Sequence, residues 1–568
     1  MASPTEKNST QSWVVTLLVA FVLAGLAAAA TWWVNYQGYT LYNGDAQAHL
    51  NIARRVLDSR TPGMLQIGTV WLPLPHLIMM PLAGDDALWA SGLAGAIPVS
   101  VCFWLGAMLF YLAMARLLES HWAALAGVAA LALNPNLLYL QATPMTEAIF
   151  LAAIGGLFYG CVRFAENPGL GWSLFAGLFA LAGALTRYDG WFVLPFVALF
   201  LVWKGQRRRW FYATAFCVVA GAGPLWWLGH NWWFWGDALE FYRGPYSAKA
   251  IYQRQLTAGM EPFPADGNWL ITAQYYFTAA RLVAGWPLFA IGLLGAVLAA
   301  VRGPRWMLAL LLAPSLFYML SMHNGGTPIF VPELWPYAHY NTRYGLALLP
   351  VLALGLATVV KATRPLWRPW SVMAGLLAAS LPWMLAAGPE SWICWKEGAV
   401  NSVARRQWLG DAATYMKRMY LPGSGILLSF GDLTGVLQLA GIPLRESLHE
   451  GNHPWFRGAT NKPQYFFREE WALCHAGDDV AQAMVRAKRA GMPVAMVKQI
   501  RVGNAAPVEI WRRRSEFAGE DLSLPKRRPS PLAGLDLPGW ERAAASLEAD
   551  AAPGDGSGEE EADGNTLR

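Results

Sequence analysis

Charged residues are scarce in this sequence: they make up 14% of its 568 residues, whereas soluble domains carry about 25%. The 55% of hydrophobic residues and the 30 tryptophans argue against a soluble globular protein as well. The net charge of +6 lies largely in short connections between apolar segments, where membrane orientation explains it better than nucleic-acid binding does. The composition therefore indicates an integral membrane protein.

Cysteine is also scarce, with five residues in the chain and no CxxC spacing of the kind found in zinc sites. Cys394 and Cys474 lie in the polar C-terminal part and can pair if that part is extracytoplasmic. The other three lie in apolar segments, where we expect them to be inert. No internal repeat is visible, which counts against a transporter built from inverted repeats.

Long apolar runs are abundant, and a spanning helix needs about 20 such residues. Two runs are unusual: 172–203 is broken by "TRYDGW", which predicts a hairpin with its turn at the interface, and 71–84 is too short and proline-rich to span. Eleven candidate spans result: 13–33, 91–115, 123–140, 147–162, 172–186, 190–203, 210–229, 282–301, 306–322, 343–360 and 370–387.

Basic residues are denser in the short connections on one side of these spans, which predicts that the N-terminus is cytoplasmic and the C-terminus extracytoplasmic. Helix-like and strand-like segments alternate after residue 388, as in "DDVAQAMVRAKRAG", "GILLSF", "MPVAMVK" and "VEIWRR", and predict a small α/β domain. The predicted organisation is a cytoplasmic segment 1–12, a transmembrane domain 13–387 with outer loops 34–90 and 230–281, an α/β domain 388–530, and a disordered acidic tail 531–568.

The stretch "YNGDAQAHLNIARRVLDS" directly follows the first span and predicts an amphipathic helix from residue 45 to 58. Asp45 and His49 are four residues apart and therefore share a helix face. Aspartate is a favoured helix cap, and such a helix can simply lie on the membrane. Asp45 thus fits equally a cap and a catalytic group.

Other ionisable residues follow at the outer ends of later spans. Glu147 in "ATPMTE" fits a first-turn helix acid or an active-site acid. Arg187 and Asp189 in "LTRYDGW" fit a local ion pair or, for the arginine, a bidentate phosphate ligand. His76, His339, Arg343 and Tyr344 have the same ambiguity, each histidine alone being more often structural. Because all of these residues map to the outer side, we predict one shared outer pocket.

These segments resemble the GT-C class of integral membrane glycosyltransferases, and within it glycosyltransferase family 39, the protein O-mannosyltransferases and their lipid-modifying bacterial relatives. The similarity lies in the loop-one acid before "WLPLPH", in "NPNLLYLQATPMTE", in "ALTRYDGWFVLPF" and in "NTRYGLALLPVLAL", and covers roughly residues 13–390. One departure is clear, because the family loop often has two adjacent acids and Asp45 is followed here by Ala46.

The resemblance implies a role for each matching position. Asp45 corresponds to the general base, Glu147 to a second active-site acid, and Arg187 to a residue that faces the lipid phosphate. Arg343 and Tyr344 correspond to an "RY" element bordering the donor site. Distant relatives, the oligosaccharyltransferases, hold a divalent metal at the equivalent acid; His49 could contribute here, but no complete ligand set is visible.

We therefore expect an inverting transfer of a hexosyl or pentosyl group from a polyprenyl-phosphate sugar to an acceptor hydroxyl at the outer membrane face. Asp45 and Glu147 are the expected catalytic residues, and the remaining candidates are expected to bind substrate. No cofactor or nucleic acid is expected, and the acceptor is a lipid, a glycan or a protein. Two alternatives stay open: a transporter or flippase for a lipid-linked or polar solute, and a transferase that depends on Mn²⁺ or Mg²⁺.

Overall fold

A computed structural model describes residues 4–303, 305–503 and 505–513 of the chain. These residues form a largely helical region followed by a small five-stranded sheet with its own helices. The predicted architecture, a polytopic helical membrane protein with a C-terminal α/β region, is confirmed. The predicted tail 531–568 and the last part of the predicted α/β domain, 514–530, lie outside the described residues.

Helices occupy all eleven apolar segments that the sequence predicts. In chain order the helices up to residue 385 are α1 Pro4–Tyr36, α2 Gly44–Leu57, α3 Leu74–Ala83, α4 Asp86–Ser91, α5 Leu93–Leu117, α6 His121–Ala132, α7 Pro135–Gln141, α8 Glu147–Glu166, α9 Leu170–Ala184, α10 Tyr188–Lys204, α11 Arg209–Trp235, α12 Glu240–Arg243, α13 Ala248–Thr257, α14 Trp269–Ala284, α15 Trp286–Arg302, α16 Arg305–His323, α17 Leu349–Ala362 and α18 Arg368–Leu385.

Six helical segments in the described part of the chain are long and apolar enough to cross a membrane. They are α1, α5, α8, α16, α11 with the turn before it, and α17 with the 3-10 helix Thr342–Leu348 before it. The pairs α6–α7 and α14–α15, bent by 64° and 113°, raise the number to eight if each pair is one span. The protein is thus a multi-pass membrane protein, and the count of eleven spans stays a prediction.

Glycines allow two pairs of these helices to approach closely. A Cβ atom at Gly295 of α15 would lie 2.0 Å from the carbonyl oxygen of Gly355 in α17, and one at Gly106 of α5 would lie 2.9 Å from the amide nitrogen of Ala152 in α8. Small residues are favoured at such contacts because helices in a bilayer associate through close packing. These contacts anchor α8 and α17: Glu147 is the first residue of α8, and Arg343 lies just before α17.

The C-terminal region combines helices with a mixed sheet. Its strand order is β2-β1-β3-β5-β4, in which β1 pairs in parallel with β2 and β3, and β5 pairs antiparallel with β3 and β4. The elements are α19 Ile393–Asn401, α20 Val403–Met419, β1 Ile426–Leu428, α21 Thr434–Ala440, β2 Ser447–Leu448, α22 Trp455–Asn461, α23 Pro463–Phe466, β3 Trp471–His475, α24 Asp479–Arg489, β4 Val494–Ile500 and β5 Val508–Arg513.

The α/β region packs tightly against one end of the membrane region. One hydrophobic cluster runs continuously from the spans through α19 and α20 to the sheet. Two hydrogen bonds also tie α21 to α2: Gln47 Nε2 donates to Gln438 Oε1 at 3.0 Å, and Asn51 Nδ2 donates to Thr434 Oγ1 at 2.8 Å. The position of α2, which carries Asp45, therefore depends on the C-terminal region.

The two cysteines of the C-terminal region are both free and buried. Cys394 lies at the start of α19 against the membrane region, where its backbone N–H donates to Asn136 Oδ1 at 2.9 Å. Cys474 lies in β3 and pairs with Glu509 of β5 in the sheet register. The Cys394–Cys474 disulfide that the sequence allowed is therefore not formed.

Candidate active site

Arg343 lies at the centre of a cluster of carboxylates at one end of the spans. Its side chain is 9% exposed, and its Nη2 donates to Asp45 Oδ2 at 2.5 Å. Its Nη1 lies 3.1 Å from Glu397 Oε1, and its Nε lies 3.3 Å from Glu147 Oε1. A guanidinium can hold three carboxylates in this way because its donors form a planar, rigid fork.

Arg187 forms a second, adjoining centre of positive charge. Its Nη1 donates to Thr146 Oγ1 at 2.6 Å and to Glu147 Oε1 at 3.1 Å. Its Nε lies 3.4 Å from Asp189 Oδ1, and its Nη2 donates to the Tyr318 hydroxyl at 2.6 Å. Glu147 thus bridges the two arginines, so the predicted residues Glu147, Arg187, Asp189 and Arg343 belong to one network.

Tyr344 completes the contact between the two arginines. Its ring stacks on Tyr318 with centroids 4.5 Å apart, and the Arg187 and Arg343 guanidinium carbons lie 5.3 and 5.2 Å from its centroid. Cations near an aromatic face are stabilised by the ring quadrupole. The "RY" element therefore supplies both a charge and the surface that holds the second charge.

Glu397 in α19 is a residue that our reading of the sequence missed. It is 4% exposed and accepts four hydrogen bonds: from the N–H groups of Asn341 and Thr342, at 3.0 and 2.8 Å, from Thr342 Oγ1 at 2.6 Å, and from Arg343 Nη1 at 3.1 Å. Glu397 thereby fixes the backbone turn that presents Arg343. The available signal was an acid within the otherwise apolar segment "ICWKEGAV".

We expect Glu397→Ala to lower the free energy of unfolding by about 3–5 kcal/mol, because it leaves Nη1 of the buried Arg343 guanidinium and two backbone donors without their acceptor. Glu397→Gln keeps one oxygen acceptor and should cost less. Glu390→Gln is the matched control, since Glu390 lies seven residues earlier, is 66% exposed and pairs with Lys396. Denaturant unfolding in detergent measures the three variants, and equal stability of Glu397→Ala and Glu390→Gln would contradict the role.

Asp45 lies in the first turn of α2 and does not cap this helix. The cap is Asn43, whose side-chain oxygen accepts the Asp45 N–H at 2.9 Å. The capping interpretation of Asp45 was therefore wrong, because the adjacent asparagine, an equally favoured cap, occupies that position. The Asp45 side chain remains free to pair with Arg343 and is 41% exposed.

The two arginines of α2 bind protein groups. Arg54 is 4% exposed and pairs with Asp58 and Asp86 at 2.9 and 2.5 Å. The Arg55 guanidinium lies 4.4 Å from the ring centroid of Phe430 in the α/β region. Arg54 is therefore held within the segment between α1 and α5, whereas Arg55 contacts the C-terminal region.

His49 and His76 form a buried pair beside the acid cluster. His49 Nδ1 lies 2.9 Å from His76 Nε2, and the His49 ring packs against Trp71 with centroids 4.3 Å apart. Burial, together with the positive charges of Arg343 and Arg187, lowers the pKa of His49 to about 3. Burial, with His49 and Arg55 nearby, lowers the pKa of His76 well below its ordinary value. Both rings are therefore neutral at physiological pH.

This pair makes stability depend on pH in one direction. Above pH 6.5, the ordinary pKa of histidine, His49 is neutral in the folded and unfolded states, so it has no effect. As the pH falls from 6.5 towards 3, His49 becomes protonated in the unfolded chain but stays neutral in the folded protein. The free energy of unfolding therefore falls by about 3 kcal/mol by pH 4. Unfolding midpoints in detergent measure this slope, and His49→Gln should make it shallower. An unchanged slope in that variant would contradict the buried neutral state.

A cavity of about 2000 Å³, open to solvent, joins these groups. Asp45, His49, Trp71, Lys249 and a polar segment from Asn324 to Thr327 line it together with the two arginines. An apolar recess of about 590 Å³ continues from the same charged cluster between α8, α16 and α17, and its lining includes Phe150, Ile154, Leu311 and Pro350. The site thus joins a polar chamber to an apolar one at the ends of the spans.

The predicted site residues divide into two groups. Asp45, His49, Glu147, Arg187, Asp189, Arg343 and Tyr344 line the cavity, and His76 lies directly behind His49. His339 does not line it: its ring is half-buried elsewhere, and its carbonyl accepts a hydrogen bond from Asn401 at 2.7 Å. The expected shared pocket therefore forms, with His339 outside it.

The carboxylates do not converge as metal ligands do. Within the described ranges no three His, Cys, Asp or Glu side chains are grouped so as to hold a metal ion. His49, the expected partner of Asp45 in such a site, turns its Nδ1 towards His76 instead. Arg187 and Arg343 lie together in this cluster through their shared contact with Glu147, and a guanidinium can form charge-assisted hydrogen bonds with an anion.

The fold and site together define a multi-pass membrane protein with a cluster of arginines and carboxylates at one end of its spans. Residues 79–233, which include Glu147, Arg187 and Asp189, match the family model for dolichyl-phosphate-mannose-protein mannosyltransferase. The predicted resemblance to GT-C enzymes of this kind is thereby confirmed. Among curated proteins no sequence matches the chain.

Similar structures were found among solved membrane enzymes. ArnT from Cupriavidus metallidurans in the apo state has a TM-score of 0.52 and 13% identity, and the match covers 90% of this chain and 100% of ArnT. The same enzyme bound to undecaprenyl phosphate has a TM-score of 0.51 and 12% identity, with the same coverage. An Archaeoglobus fulgidus oligosaccharyltransferase gives 0.42 and 11%, covering 81% of this chain and 69% of that one. At these identities the likeness to ArnT shows a shared fold.

Proposed function

We propose that this protein is a membrane glycosyltransferase that takes its sugar from a polyprenyl-phosphate-linked donor. The observation that carries the proposal is the pair Arg187 and Arg343, which meet Asp45 and Glu147 in one cavity at the outer ends of the spans. The matching family model and the fold shared with ArnT support the same class. One solved ArnT structure holds undecaprenyl phosphate, which is a lipid of this kind.

The donor fits the two-part cavity. A polyprenyl tail is apolar and suits the recess lined by Phe150, Ile154 and Leu311, whereas the phosphate needs cations at the recess mouth. Arg187 and Arg343 lie there and can hold phosphate oxygens by charge-assisted hydrogen bonds. They also stabilise the negative charge that develops on the leaving phosphate.

Asp45 is the proposed general base. The acceptor oxygen forms a bond to the anomeric carbon while the bond from that carbon to the phosphate oxygen breaks, and Asp45 takes the hydroxyl proton. The sugar is thereby transferred from the lipid to the acceptor with inversion at the anomeric carbon, and polyprenyl phosphate leaves. Asp45 pairs with Arg343 at 2.5 Å before the donor binds. A phosphate that draws Arg343 to itself would release the Asp45 carboxylate for the acceptor.

The finer assignments are part of the proposal. The sugar is a hexosyl or pentosyl group, and the acceptor is a hydroxyl on a lipid, a glycan or a protein. The site faces the outer side of the membrane, with the N-terminus in the cytoplasm. Transfer proceeds without a divalent metal, because the donors around Asp45 do not form a ligand set in the described residues. Activity that is lost with a chelator and restored by Mn²⁺ or Mg²⁺ would overturn that last assignment.

A reconstituted assay separates a transferase from a flippase. The full chain is placed in liposomes with undecaprenyl phosphate carrying a radiolabelled sugar, and with a membrane extract from cells lacking the protein as acceptor source. Label that moves to a new acceptor, with release of undecaprenyl phosphate, supports the proposal. Label that crosses the bilayer with its lipid bond intact would overturn it in favour of a flippase.

A further inference from the structure

The rings of Trp71, His49 and His76 lie in a row at one wall of the cavity, each tilted by 33° to the next. Trp71 and His49 line the cavity, whereas His76 is 1% exposed. His49 lies between the other two, with ring centroids 4.3 Å from Trp71 and 5.1 Å from His76. This wall combines an aromatic surface with a single polar group, which is the composition of a pocket that orients a small ligand.

The hydrogen bond between the two histidines has two possible directions. If His49 Nδ1–H donated to His76 Nε2, the proton of His76 would lie on its Nδ1, which is buried and has no partner among the described residues. Buried N–H groups are rarely left without an acceptor, and acceptors are left unpaired somewhat more often. The favoured arrangement has His76 Nε2–H donating to His49 Nδ1.

That direction determines what His49 offers to the cavity. A neutral imidazole with Nδ1 as acceptor carries its proton on Nε2. No described residue forms a hydrogen bond with His49 Nε2. This atom is not fully enclosed by protein either, and since His49 lines the cavity, Nε2 is open to it. His76 therefore acts as a positioning residue that makes His49 a hydrogen-bond donor.

The donor's sugar is the group that falls beside this wall. His49 lies one helical turn from Asp45 on the same face of α2. It is also close enough to Arg187 and Arg343 for both positive charges to lower its pKa. If the two arginines hold the phosphate, the sugar attached to that phosphate is the next group along the ligand. Its apolar C–H face suits Trp71, and its hydroxyl oxygens suit the His49 N–H.

We propose that Trp71 and His49 form the subsite for the sugar ring of the lipid-linked donor, with His49 Nε2–H donating to a sugar hydroxyl. This inference rests on the proposed function and adds to it the residues that recognise the sugar. A site built to hydrogen-bond a substrate hydroxyl discriminates strongly against analogues that lack it. Trp71 and His49 should therefore determine which sugar is accepted.

The test compares the binding of a polyprenyl phosphate without a sugar with the binding of the same lipid carrying a sugar. The probes are undecaprenyl phosphate itself and undecaprenyl phosphate bearing mannose, glucose, galactose or arabinose, titrated against the full chain in nanodiscs. The readout is a ratio: the dissociation constant of undecaprenyl phosphate divided by that of the lipid that carries the preferred sugar. Trp71→Ala should lower this ratio about fivefold to tenfold and leave the affinity for undecaprenyl phosphate unchanged. Trp455→Ala is the control, because Trp455 is 59% exposed on α22 of the α/β region.

Two replacements of His49 test the direction of the hydrogen bond. The glutamine amide nitrogen can take the place of Nε2, whereas the asparagine amide takes the place of Nδ1. His49→Gln should therefore keep the ratio within about threefold of the wild-type value, and His49→Asn should lower it about tenfold. Nitrogen-15 spectra of histidine-labelled protein should show His49 protonated at Nε2, and a proton on Nδ1 would overturn the assignment.

The outcomes separate this subsite from the proposed function. A wild-type protein that transfers no sugar from any of the four lipids overturns the proposed function itself. A wild-type protein that transfers sugar, together with a Trp71→Ala variant whose ratio is unchanged, overturns only the subsite. If Trp71→Ala raises the KM for the acceptor and spares the donor ratio, the wall binds the acceptor's sugar and the assignment to the donor is wrong.

Discussion

Asp45→Asn is expected to lower the rate of sugar transfer by about 10²–10⁴-fold, which is the usual contribution of a general base. The amide keeps the shape of the side chain and can still accept the hydrogen bond that Arg343 donates to Oδ2. It cannot take a proton from the acceptor. The initial rate at saturating donor measures the effect.

Donor binding and stability should behave differently from the rate in this variant. The Asp45 side chain is 41% exposed, so losing its ion pair should cost the fold about 1 kcal/mol or less. Donor binding should be unchanged or tighter, because Arg343 is released from a competing carboxylate. Asp237→Asn is the matched control, since Asp237 is 36% exposed and pairs with Arg243 in the segment that follows α11. A normal transfer rate in Asp45→Asn would remove Asp45 from the mechanism.

Arg343→Met is expected to abolish detectable donor binding and to lower the free energy of unfolding by about 3–5 kcal/mol. It removes a phosphate ligand, and it leaves Glu147 and Glu397, which are 8% and 5% exposed, without their shared cation. Arg343→Lys keeps the charge, but one ammonium cannot reach three carboxylates at 2.5 to 3.3 Å as the guanidinium does. The donor affinity and the stability of Arg343→Lys should therefore lie between those of the wild type and those of Arg343→Met.

A double variant separates the loss of function from the loss of stability. Arg343→Met combined with Glu397→Gln removes one of the orphaned buried charges and should recover part of the stability, while donor binding stays lost. Arg281→Met is the control, because Arg281 pairs with Glu333 at an exposed position and neither residue lines the cavity. Donor titration and denaturant unfolding on the same samples measure both quantities. Restored donor binding in the double variant would show that Arg343 acts only through folding.

Local chemistry in the sequence predicted much of the membrane region. Apolar runs predicted helices at eleven segments, and all eleven are helical, because helix formation in a bilayer is forced by the need to satisfy backbone hydrogen bonds locally. The spacing of Asp45 and His49 also predicted that they share a face of α2, since that depends only on the helix period. The strand-like segments of the C-terminal region likewise became β1, β4 and β5.

Pairing across long stretches of chain could not be predicted in this way. Arg343 and Asp45 are 298 positions apart, and Glu397 reaches the same cluster from α19. Both contacts depend on how α17, α2 and the α/β region pack against one another. The exclusion of His339 from the cavity and the contact of Arg55 with Phe430 have the same origin.

The sequence by itself determined that this is a multi-pass membrane protein, where its helices lie along the chain, and the set of residues from which a site could be built. These follow from composition and from periodicity, which act within a few residues along the chain. Only the tertiary structure decided which carboxylate each arginine holds, and that His76 orients His49 beside Trp71. Those choices depend on distances between segments far apart in sequence, and packing sets such distances.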